Sequence, residues 1–481
     1  MPVELQWDVL LVSFGIENSF FFFFWRRFQL YRELKLHISI ESNLMSFEEL
    51  KQSVIGKGLC VRCGLCVGVC PVQVITLDHM LFPKLSGKCT NCTLCTRCCP
   101  GADVDLPGLN KELFGRERIP GDLVGEVKGH FVSYPVDQQI RDHGASGGLV
   151  TGLLLHLFDK GIIQGALVVG MDPEKPYRSK GLLATTRQEI KESAQSKYCV
   201  TPSMEALSLL RKLEGQYAVV ALPCQIHGLR KLAKVDPRLF EKIHCILGLY
   251  CNCTMNPNGH LEAIAACNIP LDDVARFNFR DHGWPGGFCV DTLAGKKIPL
   301  HTINIKNVMN VMFRLFGAER CYYCIDALAE YSDISFGDFW SFDYTDEFSK
   351  LERCTLASVR TERGAEVFDR AVADGAVVSH ELPARRFSRR SLNMSKGKKS
   401  RAFVRLVNRM IKGQPVPNYH ISMPTLTGRE KMAELLYRLF FFFRGEKART
   451  FILKVLFSRV GIVLDRVNIV RKNLFCKYHN N

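Results

Sequence analysis

The chain has 481 residues, enough for two or three domains with a substantial core, and its hydrophobic (47%) and charged (23%) fractions are ordinary for a globular protein. The formal net charge of +16 indicates a partner or surface of opposite charge, but no nucleic-acid-binding motif accompanies the basic residues, so nucleic acid is excluded as the partner. Eight of the 20 cysteines fall in two runs with metal-ligand spacing, which excludes a secreted disulfide-bonded protein and predicts a reducing, cytoplasmic location.

Residues 1–45 form an extension for which we predict no function. The run of phenylalanines at 20–24 is apolar but too short to span a membrane. A secretory signal begins with positive charge, whereas Glu4 and Asp8 occupy that place here. The sequence from Met45 onward is typical of the start of a domain, so we interpret the extension as an upstream addition and not as an anchor.

Residues 46–108 contain two cysteine runs of the same form, in which three cysteines fall within seven residues and a fourth precedes a proline. This is the ligand spacing of bacterial ferredoxins with two [4Fe-4S] clusters, where three thiolates of each run bind one cluster and the fourth binds the other. Zinc is the alternative, but zinc modules use two cysteine pairs that lie farther apart. The predicted ligands are Cys60, Cys63, Cys66 and Cys70 in the first run and Cys89, Cys92, Cys95 and Cys99 in the second.

An alternation of helices and buried strands from about residue 125 predicts an α/β domain over residues 109–384. The strands predicted at 217–222 and 242–250 are joined by a helix, so they should be parallel neighbours whose carboxyl ends share one sheet edge. Cys224 and Cys251 lie just beyond these ends and should therefore be close together.

The pair Cys321 and Cys324 would complete a third site of four thiolates if the chain returned to the same edge. Cys253 is an alternative to Cys251 as the ligand. The thiols could instead be merely buried, as Cys245 inside its strand is expected to be. From the residues alone, a third metal site and simple burial are equally good interpretations.

Three further features are candidates for cofactor contact. Ser146, Gly147 and Gly148 stand at the start of a predicted helix with Ser146 as N-cap, where backbone N–H groups and the helix dipole favour a phosphate, although capping alone also explains them. Lys197 offers a cation to a phosphate or a flavin ring edge, although a solvated lysine is the ordinary interpretation. The turn at 280–288, "RDHGWPGGF", gathers side chains that are typical of functional loops.

Five stretches of the chain resemble the coenzyme F420 hydrogenase/dehydrogenase beta-subunit family. They are "SGGLVTGLLLHLFDKGIIQGALVVG", "SKYCVTPS", "LPCQIHGLRK", "LGLYCNCTMNP" and "CYYCIDALAEYSDISFGDFW". With the preceding two-cluster module they cover roughly residues 50–380, and their order is far more specific than any one of them.

The resemblance implies an oxidoreductase that carries FAD and a third [4Fe-4S] cluster, with thiolates from Cys224, Cys251, Cys321 and Cys324. It also implies that Ser146, Gly147 and Gly148 hold the FAD pyrophosphate and that Lys197 lies near the flavin. The implied substrate is coenzyme F420, a hydride carrier, and FAD would pass its electrons singly to the clusters. No catalytic acid or base is implied. The alternatives are a reductase of the same fold with another substrate and an electron-transfer adaptor without a hydride substrate.

Residues 385–481 depart from the family pattern and are predicted to form a basic, amphipathic, helical extension. Residues 385–412 hold eleven Lys or Arg and no acid, and Lys454, Arg459 and Asp465 exclude a simple membrane-spanning helix in the apolar segment near the C-terminus. We expect the extension to contact a redox partner protein or subunit, or the inner face of a membrane. Packing onto the chain's own core is an equally good alternative.

The predicted fold class is therefore α/β, or α+β over the whole chain. A bacterial-type two-cluster ferredoxin module precedes a mixed α/β flavin-binding domain, and the basic helical extension comes last.

Overall fold

The structure is a computed structural model that describes residues 47–463 except His282, Thr302 and Asn304. The predictions for residues 1–45 and for the end of the extension, 464–481, lie outside the described residues. Within the described part of the chain, no helix is both long and apolar enough to cross a bilayer.

The ferredoxin module is built from short elements around its two cysteine runs. A short strand follows the first run and pairs with a second strand in an antiparallel hairpin. The elements are α1 (Phe47–Leu50, continued by a π-helical turn at Lys51–Ile55), α2 (Leu65–Gly68), β1 (Ile75–Leu77), β2 (Pro83–Leu85), α3 (Leu94–Arg97) and α4 (Leu106–Phe114).

Both cysteine runs use the same backbone device before their one-turn helices. The first has positive φ at Arg62 (56°) and Gly64 (81°), and the second has it at Asn91 (54°) and Thr93 (64°). Left-handed residues let each loop turn tightly enough to bring cysteines of one run close together. The sequence repeat is therefore also a structural repeat.

The remaining strands form two sheets. They are β3 (Gly129–Pro135), β4 (Gly165–Met171), β5 (Ser179–Ala184), β6 (Tyr217–Ala221), β7 (Ile243–Leu249), β8 (Val274–Asp281), β9 (Gly287–Thr292), β10 (Lys297–Pro299), β11 (Ile334–Asp338), β12 (Thr355–Val359) and β13 (Val377–Glu381). The large sheet has the order β13–β3–β12–β11–β7–β6–β4–β5, and β8, β9 and β10 form the small one.

The centre of the large sheet is parallel and its flanks are antiparallel. Strands β4, β6, β7 and β11 run in one direction, and β6 pairs with β7 from Tyr217 opposite Ile243 onward. The predicted parallel pair is thus confirmed, and the carboxyl ends of β6 and β7 meet at one sheet edge.

Helices cover both faces of the large sheet. The helix α9 (Pro223–Val235) lies between β6 and β7. Pro223 stands at its first position, and the Gln225 side chain accepts a hydrogen bond from the backbone N–H of Leu222 at 2.8 Å. The helices are α5 (Gln138–His143), α6 (Leu149–Asp159), α7 (Arg187–Glu192), α8 (Leu207–Leu210), α9 (Pro223–Val235), α10 (Pro237–Phe240), α11 (Gly259–Ala266), α12 (Ile305–Phe316) and α13 (Glu362–Ala373).

The described part of the extension is helical, as predicted, and consists of α14 (Arg389–Ile411), α15 (Gly428–Leu439) and α16 (Glu446–Leu456). Leu65 of the ferredoxin module, Leu229 of α9 and Leu406 of α14 belong to one buried cluster. Lys398 and Lys399, in the middle of the basic stretch, are also buried. Helix α14 therefore packs onto the chain's own core, which is the alternative that the sequence left open.

Candidate functional site

Four cysteines from three separate segments line one pocket. Cys224 is the second residue of α9, the helix that follows β6, and Cys251 lies two residues beyond the end of β7. The backbone N–H of Cys251 donates to the carbonyl of Ala327 at 2.8 Å, which brings the segment that carries Cys321 and Cys324 to the same sheet edge. All four residues line the pocket. The structure thus brings together the set that the sequence alone left uncertain.

Cys253 lies next to this pocket but is not among the residues that line it. Its thiol is buried, donates to the carbonyl of Thr254 at 3.4 Å and is hydrogen-bonded to Cys321. Of the two alternatives, the geometry favours Cys251 as the fourth thiol at the pocket.

Burial and hydrogen bonding shift the pKa values of three of these thiols, those of Cys224, Cys251 and Cys321. Desolvation and then the charges of the neighbouring thiols raise the pKa of Cys224 well above its usual value. At Cys251, burial outweighs the nearby ammonium of Lys398 and raises the pKa to about 12. Hydrogen bonds from Cys253 and Thr254 lower the pKa of Cys321 to about 5. Only the thiolate form of cysteine binds a metal. A metal that binds Cys224 and Cys251 must therefore displace the protons that these thiols would otherwise keep.

The pocket shares a wall with the first cysteine run. Cys60 and Cys63 line it, and they also line a neighbouring cavity together with Cys66 of their own run and Cys99 of the second run. Burial, and after it the charge of Cys99, raises the pKa of Cys60 to about 12. Three cysteines of the first run therefore meet the fourth cysteine of the second run, and this cavity adjoins the four-cysteine pocket.

The second cysteine run shows the reciprocal arrangement. Burial, followed by the charges of Cys92, Cys89 and Cys70, raises the pKa of Cys95 to about 12. Cys70, the fourth cysteine of the first run, is thus a neighbour of the second run's three. Cys92 is exposed. This exchange of fourth cysteines is what the ligand spacing predicts.

Helix α6 begins later than the sequence suggested. Its first residue is Leu149, and Gly148 is the N-cap with a φ of 68°. The prediction that Ser146 caps this helix is therefore wrong, and the Ser146 Oγ lies instead 3.2 Å from Thr355 Oγ1. No side chain caps the first turn of α6.

Close backbone packing explains both glycines. A Cβ on Gly147 would lie 2.7 Å from the carbonyl oxygen of Arg353, and a Cβ on Gly148 would lie 2.4 Å from the carbonyl oxygen of Ile140. Real Cβ atoms do not approach backbone so closely, and the positive φ of Gly148 also favours glycine. The loop before α6 is therefore pressed between two other segments, which shifts the start of the helix past Ser146.

Lys197 is partly buried and its ammonium has hydrogen-bond partners, whereas the ordinary interpretation is a solvated lysine. Its Nζ donates to the carbonyls of Ser193 and Ala194 at 2.5 and 2.6 Å. Burial, reinforced by the positive charge of Arg276, lowers the pKa of Lys197 to about 7. The Lys197 side chain therefore turns back onto the backbone of residues 193 and 194, just before Tyr198.

Arg280 connects the other candidate cofactor segments. Its guanidinium donates to Tyr198 Oη at 2.8 Å and to the carbonyl of Ala145 at 2.6 Å, and it lies 3.4 Å from the Asp338 carboxylate. Its Cζ is 5.3 Å from the centre of the Trp284 ring, and the side chain is buried. The sequence pointed to this turn but not to Arg280 itself, because its partners Asp338 and Ala145 lie 58 and 135 residues away.

Comparison with known families agrees with this arrangement. Residues 131–208 match the N-terminal part and residues 214–384 the C-terminal part of the family described as coenzyme F420 hydrogenase/dehydrogenase, beta subunit. Residues 54–76 match the 4Fe-4S binding domain.

Similar proteins include a reductase and a hydrogenase subunit. The chain is 28% identical over 342 residues to a coenzyme F420-dependent sulfite reductase of Methanocaldococcus jannaschii, which covers 67% of this chain but only 47% of that protein. It is also 28% identical, over 262 residues, to the beta subunit of the coenzyme F420 hydrogenase of Methanothermobacter thermautotrophicus, covering 53% of this chain and 84% of that protein.

A chain in the structure of the F420-reducing [NiFe] hydrogenase complex from Methanosarcina barkeri superimposes with a TM-score of 0.50 at 20% identity. The match covers 63% of this chain and 100% of that chain, so the two share a fold. The family matches, the 4Fe-4S module and the shared fold agree, and the chain belongs to the coenzyme F420 hydrogenase/dehydrogenase beta-subunit family of oxidoreductases.

Proposed function

We propose that this chain is an iron–sulfur flavoprotein oxidoreductase that passes electrons between coenzyme F420, as hydride, and [4Fe-4S] clusters by way of FAD. The single observation that carries the proposal is the wall that the four-cysteine pocket shares with the cavity of the first cysteine run. Adjoining sets of thiols suit a relay of single electrons. The relatives named for coenzyme F420 hydrogenase and sulfite reductase support the choice of substrate.

In this proposal three clusters form a series. The third cluster is held by Cys224, Cys251, Cys321 and Cys324, and next to it lies the cluster of Cys60, Cys63, Cys66 and Cys99. The last cluster is held by Cys70, Cys89, Cys92 and Cys95. Because Cys92 is exposed, we place the exchange of electrons with a redox partner protein or subunit at this end of the series.

The residues around α6 fit FAD. The first turn of α6 has no side-chain cap, so its backbone N–H groups suit a pyrophosphate next to Ser146, Gly147 and Gly148. Arg280 fixes the preceding carbonyl of Ala145 and adds a buried positive charge near this loop. We assign Lys197 to the surroundings of the flavin and not to direct contact, because two carbonyls already accept from its ammonium. When bound, FAD would supply the conversion between hydride transfer and single-electron transfer.

Anaerobic purification and reconstitution of the full chain tests this function. We expect about twelve irons per chain, since each of three cubanes holds four, and a flavin spectrum that bleaches when reduced coenzyme F420 is added. Flavin that does not respond, with clusters that dithionite reduces, would indicate another substrate. Clusters without flavin would indicate an electron-transfer adaptor, and zinc in place of iron would contradict the proposal.

The C-terminal helices support contact with a membrane surface at its inner face. Four large apolar side chains in this region are exposed, and we call them the C-terminal apolar patch. They are Leu435 (55% exposed) and Leu436 (56%) of α15, Phe442 (83%) after α15, and Phe451 (68%) of α16. Exposed basic residues flank them in sequence at Arg429, Lys431 and Lys447. Apolar side chains between cations suit the interface of an anionic bilayer.

Replacing Leu436 and Phe442 together by aspartate should weaken sedimentation with anionic phosphatidylglycerol vesicles by at least about tenfold, because each apolar side chain contributes about 1.5 kcal/mol or more when buried. Leu293→Asp is the matched control, since Leu293 is 73% exposed but lies outside the patch. Equal vesicle binding by both variants would contradict the membrane contact and leave a protein partner as the occupant.

A further inference from the structure

Lys398 reaches the four-cysteine pocket from outside the segment that matches the family. It lies in α14, beyond residue 384, where that match ends. Its Nζ donates to the carbonyls of Cys251 and Asp326, each at 2.7 Å, and the residue is 5% exposed. It is one of the residues that line the pocket. The basic extension therefore places an ammonium group directly beside a thiol of the site.

The pocket wall is cationic. Arg62, Arg320 and Lys398 line it, and no aspartate or glutamate is among the described residues that do so. The two arginines are held by neutral partners: Arg62 donates to Asn256 and to the carbonyl of Met80, and Arg320 to Tyr419 and to the carbonyls of Leu59 and Gly101.

Lys398 and its neighbour Lys399 differ in how their charges are balanced. The Asp326 group that accepts from Lys398 is the backbone carbonyl, while the Asp326 carboxylate lies 3.1 Å from His227. Lys399 instead forms an ion pair with Glu330 at 2.7 Å. Both lysines are buried on the same helix, but the positive charge of Lys398 is directed at the cysteine pocket.

We propose that Lys398 sets the reduction potential of the third cluster. The cluster and its four thiolates carry net negative charge, and uptake of one electron from the reduced flavin adds one more negative charge without a proton. A buried ammonium beside Cys251 stabilises the reduced form relative to the oxidised form, because the interaction is weakly screened in the interior. Lys398 thus favours transfer onto the third cluster. This inference rests on the proposed function.

An EPR-monitored redox titration of the full chain, purified anaerobically, tests the role. Lys398→Met and Lys398→Gln should each retain about twelve irons and should shift the potential of one cluster to a more negative value. Lys398→Arg keeps the charge and should stay near the wild-type potential. Lys399→Met is the control. It deprives Glu330 of its ion-pair partner Lys399, so it should lower the melting temperature but leave the potential of the third cluster unchanged.

The possible failures are distinguishable. A wild-type protein with only about eight irons would overturn the third cluster and, with it, the role of Lys398. Three clusters whose potentials are unchanged in Lys398→Met would overturn the role of Lys398 alone. If Lys398→Met and Lys398→Gln both lost the third cluster, Lys398 would be a structural residue, and the tuning role would again be overturned.

Discussion

Replacing Cys224 by serine should remove about four irons per chain and abolish reduction of the remaining clusters by reduced coenzyme F420. Cys224 lies where β6 passes into α9, and it lines the pocket that shares a wall with the first cysteine run. Loss of this thiolate would leave the proposed third cluster with three ligands and would interrupt the proposed series of clusters. Iron analysis, together with the EPR signal after addition of reduced coenzyme F420, measures the effect.

Two other cysteines serve as controls for this substitution. Cys245→Ser changes a thiol that is 1% exposed inside β7, and it should keep the full iron content. Cys253→Ser should also keep about twelve irons, because Cys253 does not line the pocket. Loss of iron in Cys253→Ser but not in Cys251→Ser would mean that Cys253, and not Cys251, is the ligand. Full iron in Cys224→Ser would contradict the third cluster.

Replacing Glu434 by leucine should lower the free energy of unfolding by about 3–5 kcal/mol, the usual cost of leaving one member of a buried ion pair alone. The Arg405 guanidinium donates to both carboxylate oxygens of Glu434 at 2.6 and 2.7 Å. The two side chains are only 6% and 2% exposed, and they join α14 to α15. The urea midpoint of the cluster-loaded protein should fall accordingly.

The double variant Glu434→Leu/Arg405→Met should recover most of this loss, because it removes the isolated charge as well. Glu366→Leu is the surface control, since the Arg363–Glu366 pair is 50% and 70% exposed. It should change the free energy of unfolding by less than about 0.5 kcal/mol. If Glu434→Leu changed the free energy of unfolding as little as Glu366→Leu does, the contact between α14 and α15 would contribute little to stability.

The local sequence was sufficient where the signal is periodic or regularly spaced. The parallel pair β6–β7 follows from two apolar runs around one helix, and the meeting of Cys224 with Cys251 follows from that topology. The start of α6 was predicted incorrectly because Gly147 and Gly148 are required by segments at Arg353 and Ile140, which sequence spacing does not reveal.

The burial of α14 could not be predicted for a similar reason. A stretch rich in lysine and arginine without acids is normally solvated, and its burial depends on partners that are distant in the chain. Lys398 finds them at Cys251 and Asp326, and Lys399 finds them at Asp122 and Glu330. Only the tertiary fold supplies these acceptors.

The position of Lys398 has a consequence for biosynthesis. The cysteines of the N-terminal module leave the ribosome early, whereas the four-cysteine pocket lacks part of its wall until α14 has emerged and docked. Until then, Cys224 and Cys251 lack the part of the pocket wall that Lys398 supplies. Delivery of the proposed third cluster should therefore follow the synthesis and docking of α14, later than delivery to the N-terminal module.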